Sequence, residues 1–395
     1  VTAPPPITIS LPGLFGKFLR FGALAFGGPV AQIAMVREEL VDRLGWISSD
    51  RFNRLLAVMQ ALPGPEAHEL CVHMGIVARG RLGGLLAGLG FMLPGFLLML
   101  ACGWAYMRFV AGNADLVTLL TGVQIAVLAI ILRAIHKIGG HILTNADLWG
   151  IGLVALVATV AGVPFWITLA VAGLAYAANL PRGAAPIILA LVSLAACALL
   201  PASPDTGIVQ TMATGAAAPL ALFLAGLKGG LLTFGGAYTA IPYVRADTVG
   251  RGWLDDAQFL DGVAIANALP APLVIFATFT GYVAGGFAGA LAITAGMFLP
   301  AFAFSMLFFE RMEALLTQPR LHSLLDGVAA AAVGVIGATL VDLALVLHER
   351  MTASLVGGAM FLAVLAGAYR LKGAWVAPAL IGAGAMAGLL LGGNL

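Results

Sequence analysis

Charge is what this sequence has least of. Of its 395 residues, 10% are Asp, Glu, Lys or Arg, against about 25% in an ordinary soluble domain. Hydrophobic residues make up 61%, and the mean hydropathy is +1.03. A soluble fold of this length would lack the polar atoms to cover its surface, which excludes a water-soluble enzyme or binding domain. The 20 Lys and Arg against 18 Asp and Glu give a net charge of +2, so no basic field exists for nucleic acid. Cys71, Cys102 and Cys197 lie far apart in apolar stretches and form no metal, redox or disulfide pattern. Residues 1–10 have no cationic leader region, so no cleavable signal peptide is expected.

What is present is a series of apolar spans, near 82–107, 118–138, 148–162, 164–180 and 184–201, and again near 287–309, 324–347, 353–369 and 374–391. Several fall short of the roughly 20 residues that a comfortable crossing needs. Between them lie apolar segments that break in the middle. Segment 11–36 contains Phe26-Gly27-Gly28-Pro29, and 50–79 contains Pro63-Gly64-Pro65. The same two patterns return at 217–244 and 256–285.

The return is an internal repeat. Phe26-Gly27-Gly28 matches Phe234-Gly235-Gly236, and Val36-Arg37 matches Val244-Arg245, both at an offset of 208. Gly45-Trp46 matches Gly252-Trp253 and Ala61-Leu62-Pro63 matches Ala268-Leu269-Pro270, at 207. Leu93-Pro94 matches Leu299-Pro300 at 206. The order of the series rules out coincidence in a Gly-rich chain. The chain therefore divides into a tail (1–10), a first transmembrane repeat (11–183), a connector helix and loop (184–216) and a second repeat (217–395).

Cytoplasmic loops collect Lys and Arg. Arg79 and Arg81 precede one span, while the equivalent Ala284-Gly285-Gly286-Phe287 is uncharged. Arg370 and Lys372 separate the last two spans, while the equivalent Ala161-Gly162-Val163-Pro164 is uncharged. Placing all these cations inside requires inverted halves. The expected fold is an all-α polytopic membrane protein of two homologous inverted-topology repeats with broken or re-entrant helices.

Backbone freed by a break is tolerated at membrane depth only where it is buried or lines a cavity. Helix N-termini there present unpaired N–H groups and partial positive charge, which suits an anion. Inverted repeats with broken helices place substrate near the midplane. The glycine turns Gly27, Gly28, Gly64, Gly235 and Gly236 are thus candidate substrate contacts. Arg20 and Lys228 are equivalent cations, each six residues before its Phe-Gly-Gly, and an intramembrane cation points to function. Gln60 and Asn267, equivalent amides before the Ala-Leu-Pro turns, can donate to an oxyanion without charge.

The first half adds Glu66, His68, Glu69 and His73 just after its second break; the second half has Leu273-Val274-Ile275-Phe276 instead. His68 and His73 are five apart, which fails the i, i+4 geometry of a zincin. No metal and no cofactor are expected, and an enzyme is not. Glu69, His68 and Asp342 are candidates for proton coupling.

The run Phe26-Gly27-Gly28-Pro29, Ile33-Ala34-Met35, Arg37-Glu38, Gly45-Trp46, Gln60-Ala61-Leu62-Pro63-Gly64-Pro65 and Gly88-Leu89-Gly90-Phe91-Met92-Leu93-Pro94 resembles the chromate ion transporter family. Phe234-Gly235-Gly236, Gly252-Trp253-Leu254, Phe259-Leu260-Asp261-Gly262 and Ala268-Leu269-Pro270 resemble that family's second homologous domain. The resemblance implies a multi-pass protein of the bacterial inner membrane. It implies export of chromate, a sulfate-like dianion, driven by the proton motive force and conferring chromate resistance. Gln32 stands where the family commonly has His, and Glu66-Ala67-His68 where it has Asn-Ala-Thr. The implied partners are the oxyanion and the lipid bilayer, with sulfate or another anion as the alternative cargo, an anion channel as the alternative mode and a homodimer left open.

Overall fold

The structure is a computed structural model that describes residues 7–26, 28–61, 64–110, 114–199, 217–234, 236–307, 319–350, 354–373 and 375–391. All regular structure among the described residues is helical. The first repeat opens with α1 (Leu11–Ala23), α2 (Gly28–Arg37), α3 (Ser49–Ala61) and α4 (Glu66–Ala105), then α5 (Ala114–Ile142), α6 (Ala146–Val160) and α7 (Phe165–Ala177). After α8 (Ala184–Leu199) the order recurs as α9 (Pro219–Leu231), α10 (Ala240–Thr248), α11 (Asp256–Ala268) and α12 (Phe276–Leu307). It closes with α13 (Pro319–Arg350), α14 (Ser354–Arg370) and α15 (Val376–Leu391).

Local chemistry sets the helix ends. Ser10 caps α1 by accepting from the Gly13 amide, with Pro12 in the first turn, where its missing N–H costs nothing. Asp255 and Gln258 form a reciprocal capping box on α11. Pro63 and Pro270 follow α3 and α11 closely, and proline cannot continue the hydrogen-bond ladder.

Both α4 and α12 are hairpins rather than single rods. Arg79 (φ −146°, ψ 30°) and Gly80 (φ 63°, ψ −164°) leave helical geometry. Gly285 (φ −150°, ψ 21°) and Gly286 (φ 62°, ψ −154°) repeat that turn 206 residues later. The positive φ requires glycine at the second position. Each chain then doubles back so tightly that a Cβ on Gly75 would strike the Gly83 carbonyl, and one on Gly281 the Gly289 carbonyl. We call the arms α4a (66–78), α4b (81–105), α12a (276–284) and α12b (287–307). An arm like α4a rises about 20 Å, well short of the roughly 30 Å hydrocarbon core, whereas α4b can cross it.

The helices α1 and α2 also return on themselves. Lys17 and Glu39, on either side of the break after α1, meet at 2.8 Å. Lys228 and Asp247 meet across the equivalent break at 2.9 Å. Next, α3 leaves from the foot of α2, where Arg37 donates to Asn53 at 3.3 Å. Arm α4a comes back to that end, where Arg79 donates to the Ile9 carbonyl. Segments 11–37 and 49–78 thus both leave and return at one end.

Glycines let these helices touch. On α4b, α1 packs with Gly22 against the Phe91 carbonyl; on α12b, α9 packs with Gly230 against the Met297 carbonyl. The two hairpins grip each other, Gly95 and Gly103 of α4b against Ala271 and Tyr282, and Gly88 against Phe302 of α12b. The outer helices are exchanged. Long α13 lies on α6 and α7, while long α5 lies on α14 and α15. Gly334 meets the Gly152 carbonyl and Gly122 the Gly384 carbonyl at these crossings.

Glu66–Val110, Leu119–Ile142, Leu273–Leu307 and His322–Glu349 are long and apolar enough to cross a membrane. Trp149, Leu153 and Val157 form an exposed apolar stripe on α6. Such a stripe is a liability in water and the expected face in lipid. The chain is a multi-pass membrane protein.

Candidate functional site at the meeting of four helix breaks

The breaks of the two repeats come together. The Gly64 amide, in the second break of the first repeat, donates to the Thr233 carbonyl, in the first break of the second, at 2.8 Å. The reciprocal pair is Ala25 and Ala271, equivalent to Thr233 and Gly64 at offsets of 208 and 207. Gln32 joins that pair. Its Nε2 donates to the Ala25 carbonyl at 2.9 Å and to the Ala271 carbonyl at 3.0 Å. Gln32 is buried, and its Oε1 has no hydrogen-bond partner among the described residues. Broken backbone is satisfied here by the opposite repeat, as membrane depth demands.

Arm α4a starts at this meeting point, with Pro65 at its N-cap and no side chain capping its free amides. Glu69, in its first turn, is fully buried. Both its carboxyl oxygens lack a hydrogen-bond partner among the described residues. A Cβ on Gly64 would strike Glu69 Oε1. With φ at +144°, Gly64 also holds a conformation that side chains rarely adopt. His68 is enclosed by Phe298 and Phe302, each 4.8 Å away ring to ring, and its Nε2 lies 3.2 Å from the Gly88 carbonyl. Its other ring nitrogen has no partner there. Ser305 of α12b donates to the Glu69 carbonyl at 3.4 Å.

The equivalent cations stand at the hairpin feet. Lys228 pairs with Asp247, which Arg251 also reaches at 3.4 Å, and its ammonium lies 4.8 Å over the Phe165 ring. In the first repeat Glu39, the equivalent of Asp247, is taken by Lys17 and Arg43, both at 2.8 Å. The hydrogen bond from Lys17 holds the Glu39 carboxyl below its ordinary 4.5, against the opposing effect of burial. Arg20 makes no ion pair among the described residues. It is exposed and lines a cavity of about 210 Å³ with Lys17, Glu38, Glu39 and Arg43.

The remaining candidates are more dispersed. Gly28 (φ +76°) has open space around its Cα, and Gly236 (φ +133°) faces Ile138. Gly27, Gly235 and the side chain of Gln60 lie outside the described residues. Asn267 accepts from the Tyr238 hydroxyl at 2.8 Å and donates to the Val263 carbonyl at 2.9 Å. Tyr238 is two residues from Gly236, so this amide does reach a break. Asp342 is 44% exposed and pairs with Arg245 at 3.4 Å, far in character from buried Glu69. Sequence reasoning missed the bridging role of Gln32. It also passed over Asp261, which is buried and accepts from the Tyr106 hydroxyl and the Gln124 amide, each at 2.9 Å. An acid inside the apolar run Phe259-Leu260-Asp261-Gly262 was the available signal.

Buried broken helices, paired across two repeats and flanked by cations, define a transporter of the helical, multi-pass class. The chain belongs to the chromate transporter family, whose model matches residues 13–178 and 220–389, one match to each repeat. It is similar to the chromate transport protein of Pseudomonas aeruginosa, 56% identical over 98% of this chain and 94% of that one. It is also similar to the chromate transport protein of Cupriavidus metallidurans, 35% identical over 87% of this chain and 84% of the other. No solved structure matches the chain.

Proposed function

We propose that this protein is a secondary transporter that exports chromate across the bacterial inner membrane and so confers chromate resistance. The observation that carries the reading is the mutual bonding of the four breaks through Gly64, Thr233, Ala25, Gln32 and Ala271. It gathers free helix N-termini of both repeats at one buried point, which favours an anion. Relatives named for chromate transport over nearly the whole length support the cargo.

In this reading Gly27, Gly28, Gly235 and Gly236 offer backbone N–H groups, Gly64, whose N–H is taken by the Thr233 carbonyl, holds the break open beside them, and Gln60 and Asn267 offer neutral contacts. Arg20 and Lys228 draw the anion from the hairpin feet. Inversion is supported by the contacts between hairpins. Gly95 and Gly103 meet Ala271 and Tyr282 in the same order, so α4b runs alongside α12a and opposite to its own counterpart, α12b. The outer helices are exchanged between repeats, so the moving parts are the hairpins against the outer helices rather than one repeat against the other.

The test is radiolabelled chromate flux in proteoliposomes, with sulfate as competitor and with imposed pH gradients. Saturable flux that follows the gradient is expected; unsaturable flux would mean a channel. Arg20→Gln and Lys228→Gln are each expected to lower flux about tenfold, the loss of one charge contact at the entrance to the path. Unchanged flux in both would remove these residues from the path.

A further inference from the structure

Among the described residues, Glu69 is a buried acid whose setting calls for a reason. It is fully buried, neither carboxyl oxygen has a hydrogen-bond partner among the described residues, and Oε1 presses on the glycine of a break. Buried polar groups are almost always bonded, and an unbonded one calls for a reason. A buried carboxyl without a partner holds a proton or awaits a charge. The second repeat has apolar Phe276 at the equivalent place, so the pseudo-symmetry of the fold does not require it.

Its surroundings are specific. Glu66 stands near it on the same arm, as do His68 and His73, and Arg51 of α3 acts on His73 rather than on Glu69. From α12, Ser305 donates to the Glu69 backbone carbonyl, and Phe298 and Phe302 enclose the neighbouring His68; that helix contains no Asp, Glu, Lys, Arg or His. Its Oε1 lies beside Gly64, whose N–H is bonded to the Thr233 carbonyl at the break after α9. The cations of α1, Lys17 and Arg20, are directed to the cavity at the hairpin foot. No cation among the described residues is paired with Glu69.

We propose that Glu69 is the group that discriminates between oxyanions, by sharing one proton with the bound ion. This rests on the transport reading above. An ionised Glu69 and a fully deprotonated dianion repel each other. One proton between a carboxylate oxygen and an oxyanion oxygen replaces that repulsion with a charge-assisted hydrogen bond. The proton comes from the oxyanion or from Glu69 itself, and the complex is the same. Such a bond is strongest when the two oxygens hold the proton about equally well. Hydrogen chromate loses its proton near neutrality, so chromate oxygen is a good partner for a carboxyl. Sulfate oxygen holds a proton only in strong acid, so it leaves the buried Glu69 hydroxyl weakly bonded, which is costly. Two ions of the same shape and charge are thereby separated.

The experiment compares wild type with Glu69→Gln and Glu69→Asp in proteoliposomes, measuring chromate KM against pH and the inhibition constant of sulfate. Wild-type KM is expected to rise as pH rises, and sulfate to compete poorly. Glutamine donates to either ion and shares no proton. Its KM should therefore lose the pH dependence, and sulfate should gain on chromate by about tenfold, the worth of one buried hydrogen bond to a charged group. Aspartate should restore the preference in part. Protection of the detergent-solubilised protein against heat, by chromate and by sulfate, reads the same preference if a variant binds without turnover. A Glu69→Gln protein that keeps the wild-type preference and pH slope, in flux or in heat protection, overturns the proposal. Wild type that carries no chromate at any pH overturns instead the transport reading on which it rests.

Discussion

At the scale of single residues, the molecule places several of its few charges in ion pairs at the hairpin feet and buries Glu69 without a hydrogen-bond partner among the described residues. Glu39 shows how the foot works. Its carboxyl is held below 4.5 by Lys17, so the folded state binds the charged form better than the unfolded chain does. That stabilisation is present above the unfolded value and is lost as pH falls through the lower, folded one. The melting temperature of Glu39→Gln in detergent is therefore expected to lie below that of wild type at pH 7. The gap should close on acidification below 4.5; a gap independent of pH would show that the Lys17 bond is not its source. The pairing at the feet was open to sequence reasoning. Glu39 and Asp247 share the offset of 208 that relates Arg20 to Lys228, so the acids of the feet recur with the cations. The bond from Gln32 to Ala271 spans 239 residues, and no motif reports a contact at that distance.

At the scale of helices, the sequence already carried the breaks, because glycine and proline act through backbone geometry that holds in any tertiary context. It did not carry which arm packs on which, because hydropathy marks that a face is apolar without naming its partner. Close approach decides the pairing. Without a hydrophobic drive between helices in lipid, contact depends on small residues and van der Waals fit. Gly22 on α1 and Gly230 on α9 occupy equivalent positions against the Phe91 and Met297 carbonyls. Gly22→Leu and Gly230→Leu are each expected to destabilise by about 1–3 kcal/mol through overpacking. Both should lower the melting temperature in detergent by similar amounts. Gly16→Leu, on the same α1 with nothing within 4 Å of its added Cβ, should change it little. A large effect of Gly16→Leu, or none of the other two, would break the argument.

At the scale of the whole molecule, the repeats are distinct in sequence and inseparable in space. The long α13 of the second repeat covers α6 and α7 of the first, and α5 of the first covers α14 and α15 of the second. Halves cut between residues 200 and 216 and produced separately are expected to fail as folded, detergent-stable proteins. Produced together, they should co-purify and carry chromate, because every exchanged contact can form between two chains. A first half that is monodisperse and heat-stable alone would show that the exchanged cover is dispensable.

The exchange also fixes a timetable for synthesis. When residue 199 has left the ribosome, every helix of the first repeat is made, yet α6 and α7, which then have α8 beside them, still lack α13, more than a hundred residues away. Glycines such as Gly122 and Gly152, shaped for helices not yet made, meet lipid in the meantime. The membrane must hold a partly built protein in an uncommitted state, and its final architecture is decided only as the last fifth or so of the chain arrives.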